Sequence, residues 1–227
     1  VAHAGRRPIV DVDPLWSHPT LLARVRMDIA GVPTGTESRL FEAIPHRQSC
    51  RVPFTDEPIA PECVMRMEGA ARSEGAELLV LSTSRAEQAA ELVLRADAEQ
   101  RKDTRVLAEL FRWTGPRPGA VDGIPDASLG PTPQDPPHGL VRDFAVGLQR
   151  PGRPSAEFES VPTLALLTTA HDLPTDWLVT GQALERAWLE ATSDRLAVSL
   201  LTQLVEVPGL REVARDVTPT GGWPQSL

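Results

Sequence analysis

The chain has 227 residues, 41% of them hydrophobic and 24% charged, which is enough for one large domain or two small ones with a buried core. A net charge of −8 and a pI near 5.2 exclude a general nucleic-acid or membrane-surface binder, because such a protein needs a basic field. No apolar run approaches the roughly 18 residues of a membrane helix, VAHAGRR at the start has no apolar signal segment, and two cysteines make no disulfide framework, so a reducing cytoplasm fits best.

In chain order, Arg7–Asp11 alternates weakly and predicts a short strand. In LLARVRMDI (21–29), Leu22, Arg24 and Arg26 alternate with Ala23, Val25 and Met27, as expected of a strand with one wet face. Thr34 and Glu37 are spaced as a capping box opening a short helix through Ile44. Pro61 suits the first position of a helix, PECVMRMEGAARSEG, with Val64, Met67 and Ala71 at helical spacing and Gly75 as its stop. AELLVLST (76–83) reads as a buried strand. Ser84 and Glu87 suggest a second capping box for a long helix to about Lys102, and DTRVLAELFRW adds another to Trp113.

Residues 115–162 hold ten of the 22 prolines and seven of the 16 glycines, so the stretch 115–160 is expected to be an irregular, lid-like insertion. Only 139–148 within it could form a helical turn or two. PTLALLTT (162–169) then predicts a central strand. Asp172 or Thr175 is expected to cap a helix whose apolar stripe is Trp177, Gly181, Leu184, Trp188 and Ala191, with Gly181 allowing a close approach. Pro208–Val217 looks like a last short helix, and WPQSL like a turn and the start of a strand. Both ends look like cuts through structure, so the chain reads as part of a longer domain or as one that a partner completes.

The histidines (3, 18, 46, 138 and 171) are scattered, and no metal cluster or nucleophile motif is present. Cys63 lies on a core-facing helix position, and Cys50 stands beside Arg51. Arg47-Gln-Ser-Cys-Arg51 is the one stretch with a chemical suggestion. Two guanidiniums and a hydroxyl suit a phosphate. In an extended segment Arg47, Ser49 and Arg51 share one face; the alternative is a solvated turn, in which the arginines pair with a carboxylate such as Asp56 or Glu57.

HRQSCRVPFTDEPIAPECV resembles the opening of the nitroreductase family, and PTLALLTTAHDLPTDWLVTGQALERAWLEATSDRLAVSLLTQLVEVPGLR resembles its strand, long Gly-Gln-Ala helix and acidic segment. The combination of R-x-S-x-R-x-P-F with D-x-P-x-D-W-L-x-x-G-Q-A-L is similar to the actinobacterial Acg-type proteins, in which one chain carries two halves that mimic a nitroreductase dimer. The resemblance implies an α+β fold, with a mixed, mainly antiparallel sheet flanked by helices. It also implies a single partial domain over 1–227, corresponding to the C-terminal two-thirds of such a protein.

The resemblance further implies FMN as cofactor and NAD(P)H as electron donor, with a small-molecule acceptor such as a nitroaromatic or quinone. Arg47, Gln48, Ser49, Arg51 and Glu206 would contact the FMN, and a homodimer or a missing N-terminal half would complete the fold. The alternative is a non-catalytic flavin-binding or flavin-storing protein, or a fragment without flavin. Three departures stand out. Gln48 replaces a basic residue, Arg195 stands where the family has Gly, and Val207 stands where Gly follows the acidic residue.

Overall fold

The computed structural model describes residues 5–12, 20–114, 121–134, 140–145, 152–159 and 162–227. The fold is α+β. Its elements are β1 (Arg6–Val12), β2 (Ala23–Ala30), α1 (Gly35–Ala43), α2 (Pro61–Glu74), β3 (Glu77–Val80), α3 (Thr83–Gln100) and α4 (Thr104–Thr114). They continue with β4 (Thr132–Pro133), β5 (Ser155–Ala156), β6 (Ala165–Thr169), α5 (Pro174–Ser193), α6 (Gln203–Glu206), α7 (Pro208–Val213) and β7 (Trp223–Ser226). β1 and β2 pair antiparallel, β4 and β5 pair parallel, and a three-stranded sheet has the order β3-β6-β7, with the predicted central strand in its middle.

The chain divides into two compact units. The first comprises 1–48, 59–79 and 167–198; the second comprises 49–58, 80–166 and 199–227. In the first unit α5 packs on α2 and α1. Ala71, Ala76, Leu167 and Ala183 form one cluster, and Leu40, Ala43 and Leu189 form another. Two arginines hold the C-terminal end of α5. Arg39 donates to Glu190 at 2.6 Å and to Ser193 at 2.9 Å, and Arg66 donates to Asp194 at 2.7 Å. Acidic groups at a helix C-terminus oppose its dipole, so these cations offset an unfavourable arrangement.

The second unit has a leucine core. α3 contributes Leu92 and Val93, β6 contributes Leu166, and Leu201, Leu204, Leu210 and Val217 close it from the C-terminal segment.

Local signals are realised where their chemistry is local. Thr34 accepts from the Glu37 N–H at 3.1 Å, and Glu37 accepts from the Thr34 N–H at 2.6 Å. Pro61 starts α2, and Gly75 ends it with φ of +98°. Other expectations are corrected. Ser82, not Ser84, precedes α3, and no side chain caps it. Leu173 precedes α5; Asp176 accepts its N–H at 2.9 Å, while Asp172 accepts from the Trp177 indole at 2.6 Å. β3 is only half-buried at its middle, Glu77 and Val80 are exposed, and the buried residues Ala76 and Leu81 flank it. On α5, Trp177 and Gly181 are exposed and nothing stands near Gly181. Of the expected stripe, Trp188 and Ala191 are buried and Leu184 packs against the core, and Thr180, Ala183 and Ala187 are buried beside them.

In the 115–160 stretch the described residues are mostly irregular, with a 3-10 turn at Asp126–Ser128. They do make one short ladder, β4 with β5, which the density of proline and glycine did not anticipate. Residues 140–145 form no helix; 139 and 146–148 lie outside the described residues.

Candidate functional site

The division of the chain falls after Gln48, so the five candidate residues are distributed over both units. In the first unit Arg47 extends from the end of the 3-10 turn Ile44–His46. Its Nε stands 3.1 Å from Glu185 Oε1, and its guanidinium lies 4.6 Å from the centre of the Trp188 ring. Glu185 and Trp188 are three residues apart on α5 and so share a face, one supplying charge and the other a π surface. The carboxylate beside Arg47 is therefore Glu185 rather than Asp56 or Glu57. Gln48 follows in irregular backbone.

In the second unit Ser49 sits in an isolated bridge and is partly buried. Arg51 donates from Nη1 to the Ser128 carbonyl at 3.1 Å, and its guanidinium lies 5.0 Å from the Phe144 ring centre. Gly130 explains how the backbones come so close. Its φ is +71°, and a Cβ there would stand 2.0 Å from the Arg51 carbonyl oxygen. Only glycine fits such an approach. The Phe54 N–H donates to Glu159 at 3.1 Å, so both ends of 51–54 are tied to the Pro/Gly-rich stretch.

Glu206 is on α6, inside a network of four side chains. It accepts from Arg142 Nη1 at 3.1 Å and Nη2 at 3.3 Å, from the Thr202 hydroxyl at 2.5 Å, and from Gln100 Nε2 at 2.5 Å. Burial pushes its carboxyl up, but the bonds from Arg142 and Thr202 and the charge of Arg142 outweigh that and hold it below the ordinary value. A depression of about 10 Å³, no roomier than one water molecule, adjoins this network and is lined by Asp97, Gln100, Leu107, Arg142 and Asp143 among others.

Arg142 and its neighbours were not singled out by the sequence. The signal was VRDF at 141–144, a charged and aromatic run inside a breaker-rich stretch. Arg142 holds Glu206, Asp143 holds the buried Arg153 at 2.9 Å, and the Phe144 ring centre has a second guanidinium, Arg142, 5.2 Å away. Arg153 also donates to the carbonyls of Leu129, Gly130 and Pro131 at 3.3, 2.7 and 3.0 Å. One side chain thus fixes the turn that contacts Arg51.

What the second unit offers a ligand can be tested on its unused groups. Arg51 is bonded to a neutral carbonyl, so its charge has no carboxylate counter-ion among the described residues. Gln203 Oε1 and Ser226 Oγ are buried without a hydrogen-bond partner; leaving such atoms orphaned costs about 1–3 kcal/mol each. An anionic group fits the Arg51 guanidinium; the Gln203 amide oxygen is an acceptor and calls for a donor instead. Glu206, already satisfied, contributes no free acceptor. No three His, Cys, Asp or Glu among the described residues are grouped to hold a metal ion.

No family model matches the chain. It is 27% identical over 214 residues to an uncharacterized protein of Mycobacterium tuberculosis, a match covering 94% of this chain and 62% of that protein. It is 25% identical over 227 residues to a protein of the same organism named "Putative NAD(P)H nitroreductase acg", covering 100% of this chain and 68% of that one. The chain therefore spans about two-thirds of the length of these relatives. Among solved structures, a nitroreductase with bound FMN from Bacteroides fragilis aligns with a TM-score of 0.48 at 17% identity, over 82% of this chain and 84% of that one.

Proposed function

We propose that the chain is the greater part of a flavin-dependent oxidoreductase of the nitroreductase type. Its FMN would receive electrons from NAD(P)H and pass them to a nitroaromatic, quinone or similar acceptor. The observation that carries this reading is similarity along the whole chain to a relative named as a nitroreductase, coinciding with the Arg47–Arg51 stretch, whose two guanidiniums and hydroxyl suit a phosphate. In this reading, as the family resemblance implies, Arg47, Gln48, Ser49 and Arg51 would contact the FMN and Glu206 would stand near its ring. The flavin would supply the hydride chemistry, so no protein nucleophile is required. What the chain itself supplies is charge-assisted binding and orientation.

A second reading, a flavin-binding or flavin-storing protein without turnover, is favoured by a specific feature. Arg51 is held by Ser128 and Phe144, and Glu206 by Arg142, all from the 115–160 stretch. In that reading the stretch is a lid whose residues occupy the groups a flavin would use.

The test is an FMN titration of wild type and Arg51→Ala. Loss of one charge-assisted contact should weaken binding by about 1.5–3 kcal/mol. Equal affinity in both would remove Arg51 from the site. Absence of a flavin band near about 450 nm in the saturated protein would remove the flavin altogether. Bleaching of the band by NADH or NADPH separates the reductase from the storage protein.

A further inference from the structure

Among the described residues, four arginine–carboxylate pairs of the first unit involve α5 or the residue that ends it. Three of them are hydrogen-bonded. Arg39 donates to Glu190 at 2.6 Å, Arg66 to Asp194 at 2.7 Å and Arg186 to Glu74 at 2.7 Å. Their carboxylates are mostly shielded from water. The fourth pair differs in both respects. Glu185 stands 3.1 Å from Arg47 Nε, but no aligned hydrogen bond joins the two, and the Glu185 side chain is 49% exposed. An exposed pair of this kind stabilises a fold little.

The guanidinium of Arg47 is held in place nonetheless. It lies 4.6 Å from the centre of the Trp188 ring, and Trp188 is buried. A ring fixed in the core is a platform for the cation beside it, and a cation so placed has less freedom left to lose when it binds. The Arg47 side chain is 33% exposed, so water and solutes reach it. A guanidinium carries five N–H donors in a planar fork. None of those of Arg47 donates to another described residue, whereas Arg39, Arg66 and Arg186 all spend donors on their carboxylates. Arg47 therefore combines a fixed position, an open approach and unspent donors, and the one charge set against it is a loosely held carboxylate.

We infer that Glu185 is an internal competitor for an anion site at Arg47: it neutralises the guanidinium until an oxyanion takes the N–H fork. The inference rests on the reading of Arg47 as an anion-binding group, and not on that anion being a flavin. A phosphate arriving at Arg47 must either push the carboxylate aside, losing the ion pair, or bind next to it against the repulsion of like charges. Both weaken binding. Glu185 thus sets the affinity of the site while giving the ligand no contact of its own.

Titration with inorganic phosphate tests it, followed by NMR at the side-chain Nε–H resonance of Arg47, which Arg47→Lys identifies by its loss. Glu185→Gln keeps the size of the side chain and removes its charge. It should bind phosphate about two- to fivefold more tightly than wild type, the worth of an exposed ion pair. Glu109→Gln, which removes an exposed charge from α4, should bind as wild type does. Unchanged affinity in Glu185→Gln makes the pair a surface contact and overturns the inference. Weaker binding makes Glu185 a positioning group for Arg47 and overturns it too. So does an Arg47 resonance that phosphate fails to shift in Glu185→Gln, or equal tightening in Glu109→Gln, which reports net charge alone. A parallel FMN titration separates this inference from the flavin reading. Phosphate tightening without FMN binding removes the flavin and leaves the competitor. FMN binding of equal strength in wild type and Glu185→Gln removes the competitor and leaves the flavin.

Discussion

The two units are stabilised by different means. In the first, Leu40, Leu167, Trp188 and Leu189 are the large apolar side chains buried among the described residues, and the remaining buried apolar positions are alanines. Its helices pack closely through Ala71 and Ala183, while Val25, Met27, Val32 and Ile44 stay at least half exposed. The second unit buries a leucine at nearly every element that reaches its core and adds an internal ion-pair system around Arg142 and Arg153. Small-residue packing removes little apolar area from water per residue. The first unit therefore leans on caps and ion pairs and keeps apolar surface to offer. The second is self-sufficient, and its polar groups are the ones that organise an irregular segment.

Removing the hub of the second unit should separate the two most sharply. Arg153 is 7% exposed and Asp143 13%. Arg153→Ala strips partners from three backbone carbonyls and leaves Asp143 as an uncompensated, buried charge. Such losses cost about 3–5 kcal/mol. Denaturant unfolding should show that loss, and limited proteolysis should cut within 121–159 before it cuts the helices of the first unit. Unchanged stability would mean that the turn at 128–131 is held by other contacts.

A smaller effect should appear with pH. Glu206 has its folded pKa below the ordinary 4.5. A depressed carboxylate contributes stability that is fully present above the unfolded value and is lost as pH falls through the folded one. Stability of the second unit should therefore decline as pH falls below about 4.5. Arg142→Ala removes the main lowering contact, so the decline attributable to Glu206 should flatten. A pH–stability curve with the same slope in both proteins would show that Arg142 does not hold that carboxylate in solution.

How much of this was legible in the sequence depends on range. The Thr34–Glu37 box and the Pro61-to-Gly75 helix involve neighbours within one or two turns, and both formed as read. The face of α5 formed only in part. The stripe read from the sequence was Trp177, Gly181, Leu184, Trp188 and Ala191; Trp188 and Ala191 are buried and Leu184 packs against the core, but Trp177 and Gly181 face out, and Thr180, Ala183 and Ala187 are buried as well. Arg153 was invisible for another reason: apart from Asp143, its partners are carbonyls more than twenty residues away, and backbone acceptors leave no residue-type signature. The Arg47–Arg51 stretch stood out by residue type alone, while Glu185, Trp188, Ser128 and Phe144, the groups that hold its two arginines, are distant in sequence and gave no sign of it.

The smallest effect tests whether local backbone terms govern the first unit. Arg195 is the one non-glycine residue with positive φ, +61°, among the described residues. It follows α5, where its N–H bonds to the Thr192 carbonyl at 3.0 Å and the Leu196 N–H bonds to the Ala191 carbonyl at 2.8 Å. That paired pattern is the helix stop that glycine ordinarily fills, and glycine is the residue the family resemblance places there. A side chain in this conformation costs about 1–2 kcal/mol, partly offset because glycine loses more freedom on folding. Arg195→Gly should therefore stabilise the protein by about 0.5–1 kcal/mol. The end of α2 supplies the reverse experiment. Gly75 has φ of +98°, and a Cβ there would meet only Val179 Cγ1 at 3.5 Å, an ordinary contact. Gly75→Ala should thus cost about 1 kcal/mol through backbone conformation alone. Opposite signs in matched denaturant melts would show that the two helix ends obey the same term. A destabilised Arg195→Gly would mean that the Arg195 side chain makes a contribution larger than its strain.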